Sequence, residues 1–246
     1  GNLAVYSEPD VVSFYEKLTG LQPCEQHLFD RYLRPGMSIL DMGVGGGRTT
    51  PYLSGIAGRY VGADYSAAMV EACRKAWPRL EFRHCDATNL SEFADGTFDA
   101  AVFAFNGIDY ISSDEARGRC LREMARVLKP GGVFILSSHN ARQLGVLPIF
   151  AGARGPQRVW RVIRSLFKSL AIGSRTLGRG VFFSGEGYLL DPVHGGLLTY
   201  ASSPETMTPQ LAGAGFEVME TVGGHFPEVS ALYFTPWHYY AARRAR

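Results

Sequence analysis

The chain has 246 residues, of which 46% are hydrophobic and 20% charged, a balance typical of a globular protein and unlike that of disordered or collagen-like chains. Its 25 basic and 23 acidic side chains give a net charge of +2, which argues against a strongly basic nucleic-acid-binding protein. No run approaches the roughly 18 consecutive apolar residues of a membrane-spanning helix, and the first residues lack a secretory signal, so we expect a cytoplasmic location. Four scattered cysteines favour reduced, buried thiols.

Strand-like and helix-like segments alternate through the first 140 residues, which indicates a parallel sheet with helices on both faces. Five strands are predicted, over 38–42, 60–63, 80–84, 97–105 and 133–137. Helices are predicted after the glycine-rich turn that follows the first strand, over 66–76, and from Ser113 or Asp114 to Leu128, where apolar residues recur at helical spacing. A tight turn over 129–132 precedes the fifth strand.

The alternation stops between Ala141 and about Tyr200, where glycines and aromatic residues surround one predicted helix over 157–170. A last helix is predicted over 208–214, and two final strands over 216–221 and 237–243. We therefore predict one α/β domain over 1–246, doubly wound around a mostly parallel seven-stranded sheet. Residues 141–200 are predicted to form an inserted lid between the fifth and sixth strands that selects the substrate.

The strongest chemical signal is the run Asp41-Met42-Gly43-Val44-Gly45-Gly46-Gly47-Arg48 between a strand and a helix. Glycines permit unusual backbone angles and close approach of a ligand, and a helix N-terminus offers free amide groups. A dinucleotide fingerprint requires a third glycine where Arg48 stands, and a phosphate-binding loop is matched only approximately by Gly47-Arg48-Thr49. The run therefore predicts a nucleotide-like cofactor that is bound neither by a dinucleotide fingerprint nor by a phosphate-binding loop.

The run resembles the first motif of the class I S-adenosylmethionine-dependent methyltransferases, an acid followed by alternating glycines. Asp41, Gly43, Gly45 and Gly47 match that motif at every position. The resemblance covers roughly residues 35–140 and, more weakly, the closing strands. It implies S-adenosylmethionine as cofactor and S-adenosylhomocysteine as product.

The resemblance also implies roles for the residues at the strand ends. Asp41 would hold the amino group of the cofactor, directly or through water, and Asp64, next to Tyr65, would accept hydrogen bonds from the ribose hydroxyls. Further cofactor contacts are implied by the resemblance: Tyr65, Met69, Asp86, Ala87 and Asn106. Tyr6 and Tyr15 resemble tyrosines that this class places near the cofactor, although packing explains them equally well.

Methyl transfer from a sulfonium depends mainly on positioning of the acceptor, and a hydroxyl acceptor gains from a general base. His139, at the end of the fifth strand, is the predicted base, because ligands gather at the carboxyl ends of strands in open α/β sheets. His194, His225 and Tyr200 compete for this role, and a strand-end histidine bonded to backbone is the alternative for His139. No residue cluster argues for a required metal.

The predicted lid is strongly basic. Residues 141–185 contain seven Arg, one Lys and no acidic residue, a charge of +8 against −6 for the rest of the chain. The helix over 157–170 places its basic and apolar residues on opposite faces. Three interpretations remain open: a solvated outer face, recruitment of an anionic acceptor, or docking to an anionic membrane surface.

The first functional hypothesis is a methyltransferase acting on oxygen or nitrogen of a small molecule, such as a natural product or sugar. Alternatives are a methyltransferase of a quinone or other lipid, and a cofactor-binding module without catalysis. A nucleic-acid substrate is disfavoured, because Asn106-Gly107-Ile108 stands where base methyltransferases carry Asn/Asp-Pro-Pro-aromatic. The oligomeric state is left open.

Overall fold

A computed structural model describes residue 6 and residues 8–144, 156–191, 197–227 and 233–246. Two N-terminal helices, absent from the sequence prediction, come first: α1 (Pro9–Glu16) and α2 (Pro23–Tyr32). Both have proline in their first turn, where the missing N–H costs no hydrogen bond. Gln22 and Glu25 form a capping box that fixes the start of α2.

The predicted alternation of strands and helices up to residue 140 is confirmed. Its elements are β1 (Ser38–Met42), α3 (Thr50–Ile56), β2 (Arg59–Asp64), α4 (Ala67–Ala76), β3 (Glu81–His84), β4 (Phe98–Phe103), α5 (Asp114–Val127) and β5 (Leu128–Asn140). The five strands are parallel, in the order β3-β2-β1-β4-β5. Their carboxyl ends therefore lie along one edge of the sheet, where open α/β sheets bind ligands.

Two predicted strand boundaries are wrong. β4 ends at Phe103 instead of Phe105, because Phe105 and Asn106 adopt left-handed backbone angles that do not continue a strand. β5 begins at Leu128 and absorbs the predicted turn over 129–132, since Leu128 already pairs with Phe98 across a local shift in register.

The two predicted final strands are confirmed as β8 (Phe216–Gly223) and β9 (Trp237–Arg244). β9 runs antiparallel to β5, and β8 pairs with β9 at the edge of the sheet. The helix before them, α8 (Pro204–Gly213), starts four residues earlier than predicted. Its start is set by a capping box between Ser203 and Thr206.

The predicted lid contains regular structure that the sequence prediction missed. Helix α6 (Pro156–Gly178) is longer than predicted, and a short helix α7 (Val181–Ser184) follows it. β6 (Glu186–Asp191) and β7 (Leu197–Ser202) pair antiparallel and bring the sheet to nine strands. The pairing of β4 with β5 ends at Phe103 and Leu136. β7 pairs in parallel with the residues of β5 that follow, His139 and Asn140. The hairpin thus extends the sheet past the carboxyl end of β4.

Most of the core lies in two apolar clusters on opposite faces of the central strands, and a third, small cluster joins Ala141, Val181 and Ala201. Along β1, Leu40 belongs to one cluster and Ile39 to the other, as expected for a strand buried on both faces. The cysteines are divided between the clusters in the same way, and all are free and buried, as predicted: Cys24, Cys73, Cys85 and Cys120.

Candidate functional site

The turn after β1 depends on its glycines. Gly43, Gly45 and Gly47 have φ angles of +65°, +55° and +84°, which L-residues with a side chain rarely adopt. Space is short as well, since a Cβ atom at Gly43 would lie 2.6 Å from Cε2 of Phe103, and one at Gly47 would collide with Trp77. Bare backbone is therefore required where the turn meets its neighbours.

Asp41 lies beneath this turn rather than on the surface of a cavity. Its Oδ2 accepts hydrogen bonds from the hydroxyls of Thr49 (2.7 Å) and Tyr60 (2.8 Å). Burial raises the pKa of Asp41 to about 6, although these two hydrogen bonds favour the ionised form. Asp41 thus fixes Thr49, which does line the cavity described below.

Asp64 ends β2 with its carboxylate held in a fixed orientation. One oxygen, Oδ2, accepts the N–H of Gly45 at 2.9 Å, and the other, Oδ1, accepts the N–H of Ser66 at 2.8 Å. Burial raises the pKa of Asp64, and the two amide donors oppose that shift. An ionised carboxylate has about four lone-pair positions, so acceptor capacity remains for a bound diol.

A cavity of about 710 Å³ opens at the carboxyl ends of β1 to β4. It brings together seven of the eleven predicted site residues: Gly43, Gly45, Asp64, Tyr65, Met69, Asp86 and Ala87. We call these the strand-end residues. The other four predicted residues do not line the cavity: Asp41, Gly47, Asn106 and His139. The volume lies within the usual range for small-molecule sites.

Three tyrosine rings line the same cavity and contact one another. The ring of Tyr6 lies 6.0 Å from that of Tyr15 and 5.3 Å from that of Tyr110, measured between centroids. We call them the tyrosine cluster. Burial raises the pKa of Tyr6, so its hydroxyl stays protonated. Leu198 of β7 also lines the cavity, which shows that the predicted lid reaches the site.

The chain turns sharply at the end of β4. Phe105 and Asn106 are the two non-glycine residues with positive φ among those described, at +55° and +62°. The hydroxyl of Tyr239 accepts the N–H of Phe105 at 3.2 Å, and the hydroxyl of Ser137 accepts that of Asn106 at 2.7 Å. Two consecutive left-handed residues cost energy and occur where a site requires the geometry. Here they place the Phe105 ring on the cavity wall.

His139 forms a pair with a buried acid that sequence reasoning missed. Nδ1 of His139 lies 2.8 Å from Oδ2 of Asp109, and the same oxygen accepts the backbone N–H of His139 at 2.6 Å. Asp109 Oδ1 accepts the hydroxyl of Ser138 at 2.8 Å, and the guanidinium of Arg117 lies 3.5 Å away. With Nδ1–H donated to Asp109, Nε2 becomes the basic nitrogen of the neutral ring. His139 therefore has the orientation of a general base.

His139 approaches the cavity across Tyr110. The two rings meet edge to face at 6.2 Å, and Tyr110 lines the cavity. Asp109 and Tyr110 lie in one 3₁₀ turn, Gly107–Tyr110, directly after Phe105 and Asn106, which both have positive φ. A sequence signal that could have found Asp109 is its position in the turn that follows a buried strand, six residues after Phe103.

The competing candidates for a base are placed less favourably. The hydroxyl of Tyr200 donates to Oε2 of Glu186 at 2.5 Å, its ring lies under the Arg117 guanidinium at 3.5 Å, and burial raises its pKa. Tyr200 and His225 do not line the cavity, and neither does His139, which reaches it through the ring of Tyr110. His194 lies outside the described residues.

Arg48 lines the cavity and is anchored to α2. Its guanidinium binds both carboxylate oxygens of Glu25, at 2.6 and 2.5 Å, and Glu25 also accepts the hydroxyl of Tyr239. The same guanidinium lies 5.0 Å from the ring centroid of Phe105. Because Tyr239 also holds the N–H of Phe105, this network joins the glycine turn to the turn after β4. Its partners are too distant in sequence for a local pattern to reveal.

Comparison with known proteins agrees with this geometry. Residues 39–132 match a protein family described as a methyltransferase domain. A demethylmenaquinone methyltransferase of Corynebacterium kroppenstedtii is 36% identical over 118 residues, which are 48% of this chain and 47% of that protein. The match thus spans about half the length of the curated relative.

Solved structures share the fold over nearly the whole chain. The 1,6-didemethyltoxoflavin-N1-methyltransferase of Burkholderia thailandensis, with bound substrate and S-adenosylhomocysteine, superimposes with a TM-score of 0.62 at 17% identity, covering 99% of this chain and 88% of that one. The [4+2]-cyclase SpnF gives a TM-score of 0.63 at 17% identity, covering 100% and 94%. At such identities the likeness establishes the fold alone.

Proposed function

Since the chain carries a class I S-adenosylmethionine-dependent methyltransferase domain, we propose that it transfers a methyl group to oxygen or nitrogen of a small-molecule acceptor. Natural-product and sugar intermediates are the acceptor classes we favour. One observation carries the proposal: the strand-end residues and the tyrosine cluster line a single cavity, beside a histidine oriented by a buried carboxylate.

The residues present fit the cofactor. The glycine turn leaves room that a side chain would fill, and Asp64 offers fixed acceptors for a vicinal diol. Met69 is buried and lines the cavity, where it would offer an apolar surface to adenine, while Asp86 is exposed there and would accept hydrogen bonds from the adenine amino group. Asp41 acts from below the turn, through Thr49, as a positioning residue.

The cofactor, when bound, supplies a methyl group on a sulfonium, an already activated leaving group. The protein therefore has to bind the acceptor, orient it and exclude water. The tyrosine cluster offers flat apolar faces for an acceptor. We assign His139 Nε2 as the atom that takes the proton of an acceptor hydroxyl. Asp109 then stabilises the resulting imidazolium, as an oriented carboxylate does in other histidine bases.

A second candidate acceptor is a quinone or another lipid. It is favoured by the local identity to proteins named demethylmenaquinone methyltransferase and by the apolar lining contributed by Leu18, Ile111 and Leu198. A small polar acceptor and a quinone would occupy the same cavity. They would differ in whether a base has to take a proton from the atom that receives the methyl group. The same fold occurs in a protein named as a [4+2]-cyclase, so the fold alone does not imply methyl transfer. Turnover of S-adenosylmethionine is the observation that would exclude a module that only binds the cofactor.

The proposal is tested by methyl transfer from S-adenosylmethionine labelled in its methyl group. The purified chain is incubated with a polar metabolite extract and, separately, with a lipid extract, and labelled products are identified by mass spectrometry. A labelled polar product supports the first acceptor class, and a labelled lipid supports the second. Binding of S-adenosylmethionine without any labelled product from either extract would contradict the enzymatic proposal.

A further inference from the structure

Helix α6 exposes large apolar side chains to solvent. Trp160, Phe167 and Leu170 are 65%, 68% and 70% exposed, and Ile163 and Leu166 are exposed as well. At 100° per residue these five positions fall within an arc of about 120° on the helix. We call them the α6 apolar face. An exposed apolar surface of this kind marks an interaction site.

The helix is attached to the body of the protein near its carboxyl-terminal end, beyond the last residue of the α6 apolar face. Gly173 and Thr176 are buried, and the Thr176 hydroxyl lies within hydrogen-bond distance, 3.4 Å, of the Gln143 carbonyl oxygen. The carbonyl oxygen of Leu144 lies 3.4 Å from the position that a Cβ atom would take at Gly173. The carboxyl-terminal part of α6 is therefore held near the end of β5, and the apolar face remains uncovered.

The charge of this region is as unusual as its exposure. Residues 141–185 carry +8, against −6 for the rest of the chain, and Arg164, an exposed residue next to the apolar face, belongs to this set. Arg161 and Lys168 fall on the same flank as Arg164 at helical spacing. A helix with an apolar face and a basic flank binds at the interface of an anionic lipid bilayer.

We propose that α6 is a docking surface for an anionic membrane, lying flat with its apolar face among the acyl chains and its basic residues at the headgroups. A nucleic acid would match the charge but would leave the apolar face exposed to water. Within the described ranges, no helix combines the length and apolar character needed to cross a bilayer. The proposal goes beyond the methyltransferase assignment, because docking holds for any acceptor.

The test is flotation of the full chain with vesicles of phosphatidylcholine alone or mixed with phosphatidylglycerol, at low and high salt. The wild type should float with the anionic vesicles at low salt and be partly released at high salt, because counterions screen the basic residues. Phe167→Glu with Leu170→Glu should weaken this partitioning by at least about tenfold, since it removes apolar contact and adds repulsion. Leu190→Glu replaces an exposed leucine of β6 and serves as the matched control, which should float like the wild type.

Two outcomes would overturn the proposal. One is absence of flotation with anionic vesicles at low salt. The other is a dimer in light scattering that Phe167→Glu with Leu170→Glu converts to a monomer while vesicle binding is unaffected, which would make the apolar face a contact between two copies. Calorimetric binding of S-adenosylmethionine to the same samples keeps this test separate from the methyltransferase proposal.

Discussion

The strand-end residues and the residues around His139 come together in opposite ways. The strand-end residues fall within 45 consecutive positions, at or just after the ends of three strands that pair side by side, with Met69 in the helix that follows the second of them. The second group joins Tyr6 before α1, the Asp109 turn after β4, His139 on β5 and Leu198 on the β6–β7 hairpin. A repeated βα pattern builds the first group, whereas long-range packing builds the second.

This difference follows from what each group of residues is proposed to bind: a cofactor that is common to the whole class, or an acceptor that is particular to one enzyme. The cofactor presents the same ribose, adenine and amino acid to every enzyme of the class, so a short local pattern serves. An acceptor differs between enzymes, and the parts of the chain that would meet it come from helices and hairpins outside the repeated pattern.

The largest effect is expected from Asp64→Ala. It removes both fixed acceptors and leaves the N–H groups of Gly45 and Ser66 without their side-chain partner. Loss of two charge-assisted hydrogen bonds should weaken S-adenosylmethionine binding by roughly 300-fold in isothermal titration calorimetry. Asp86→Ala removes an exposed carboxylate from the same cavity and should cost about tenfold less. Equal affinities of Asp64→Ala and wild type, with an unchanged melting temperature, would remove the ribose assignment.

How much the sequence could predict follows the same division. The glycine turn was identified from its own pattern of residues, and Asp64 and Asp86 from the family resemblance, which places acids at the ends of the second and third strands. Asp109 was missed because it lies three residues beyond Asn106, after a turn whose two left-handed residues are not glycines. The β6–β7 hairpin was interpreted as irregular, since its pairing with β5 is confined to the end of that strand and leaves no local signal.

The next largest effect is expected from His139→Gln, which tests the removal of a proton from the acceptor. If the acceptor is a hydroxyl, His139→Gln should lower kcat about 100-fold, because no group takes the proton during methyl transfer. The cofactor affinity should stay unchanged, because His139 lies outside the cavity lining. His27→Gln alters a histidine that pairs with Glu220, away from the cavity, and should keep wild-type kcat. Full turnover by His139→Gln with the true acceptor would exclude the base assignment.

Asp109→Asn tests whether Asp109 assists His139 in catalysis or only stabilises the fold. The amide keeps the size of the side chain but offers no negative charge to the imidazolium formed during proton transfer, so kcat with a hydroxyl acceptor should fall at least about tenfold. A purely structural role would lower the melting temperature and leave kcat unchanged at a temperature where both proteins are folded. Circular dichroism melts of the same preparations distinguish the two outcomes.

The smallest effect concerns Asp41, beneath the glycine turn. Burial raises its pKa in the folded protein to about 6, from an ordinary value of 3.8, so the folded state binds this proton more tightly than the unfolded chain does. Stability therefore falls as the pH rises from about 4 to 6, and the full penalty is present above that window. The free energy of unfolding of Asp41→Asn, which has no such proton, should gain about 2 kcal/mol relative to that of the wild type as the pH rises from about 4.5 to 7, measured by urea unfolding.

If Asp41 acts only through Thr49, the variant should also bind S-adenosylmethionine with an affinity within about tenfold of that of the wild type, far closer than the affinity of Asp64→Ala. A loss as large as that of Asp64→Ala would instead place Asp41 in direct contact with the cofactor.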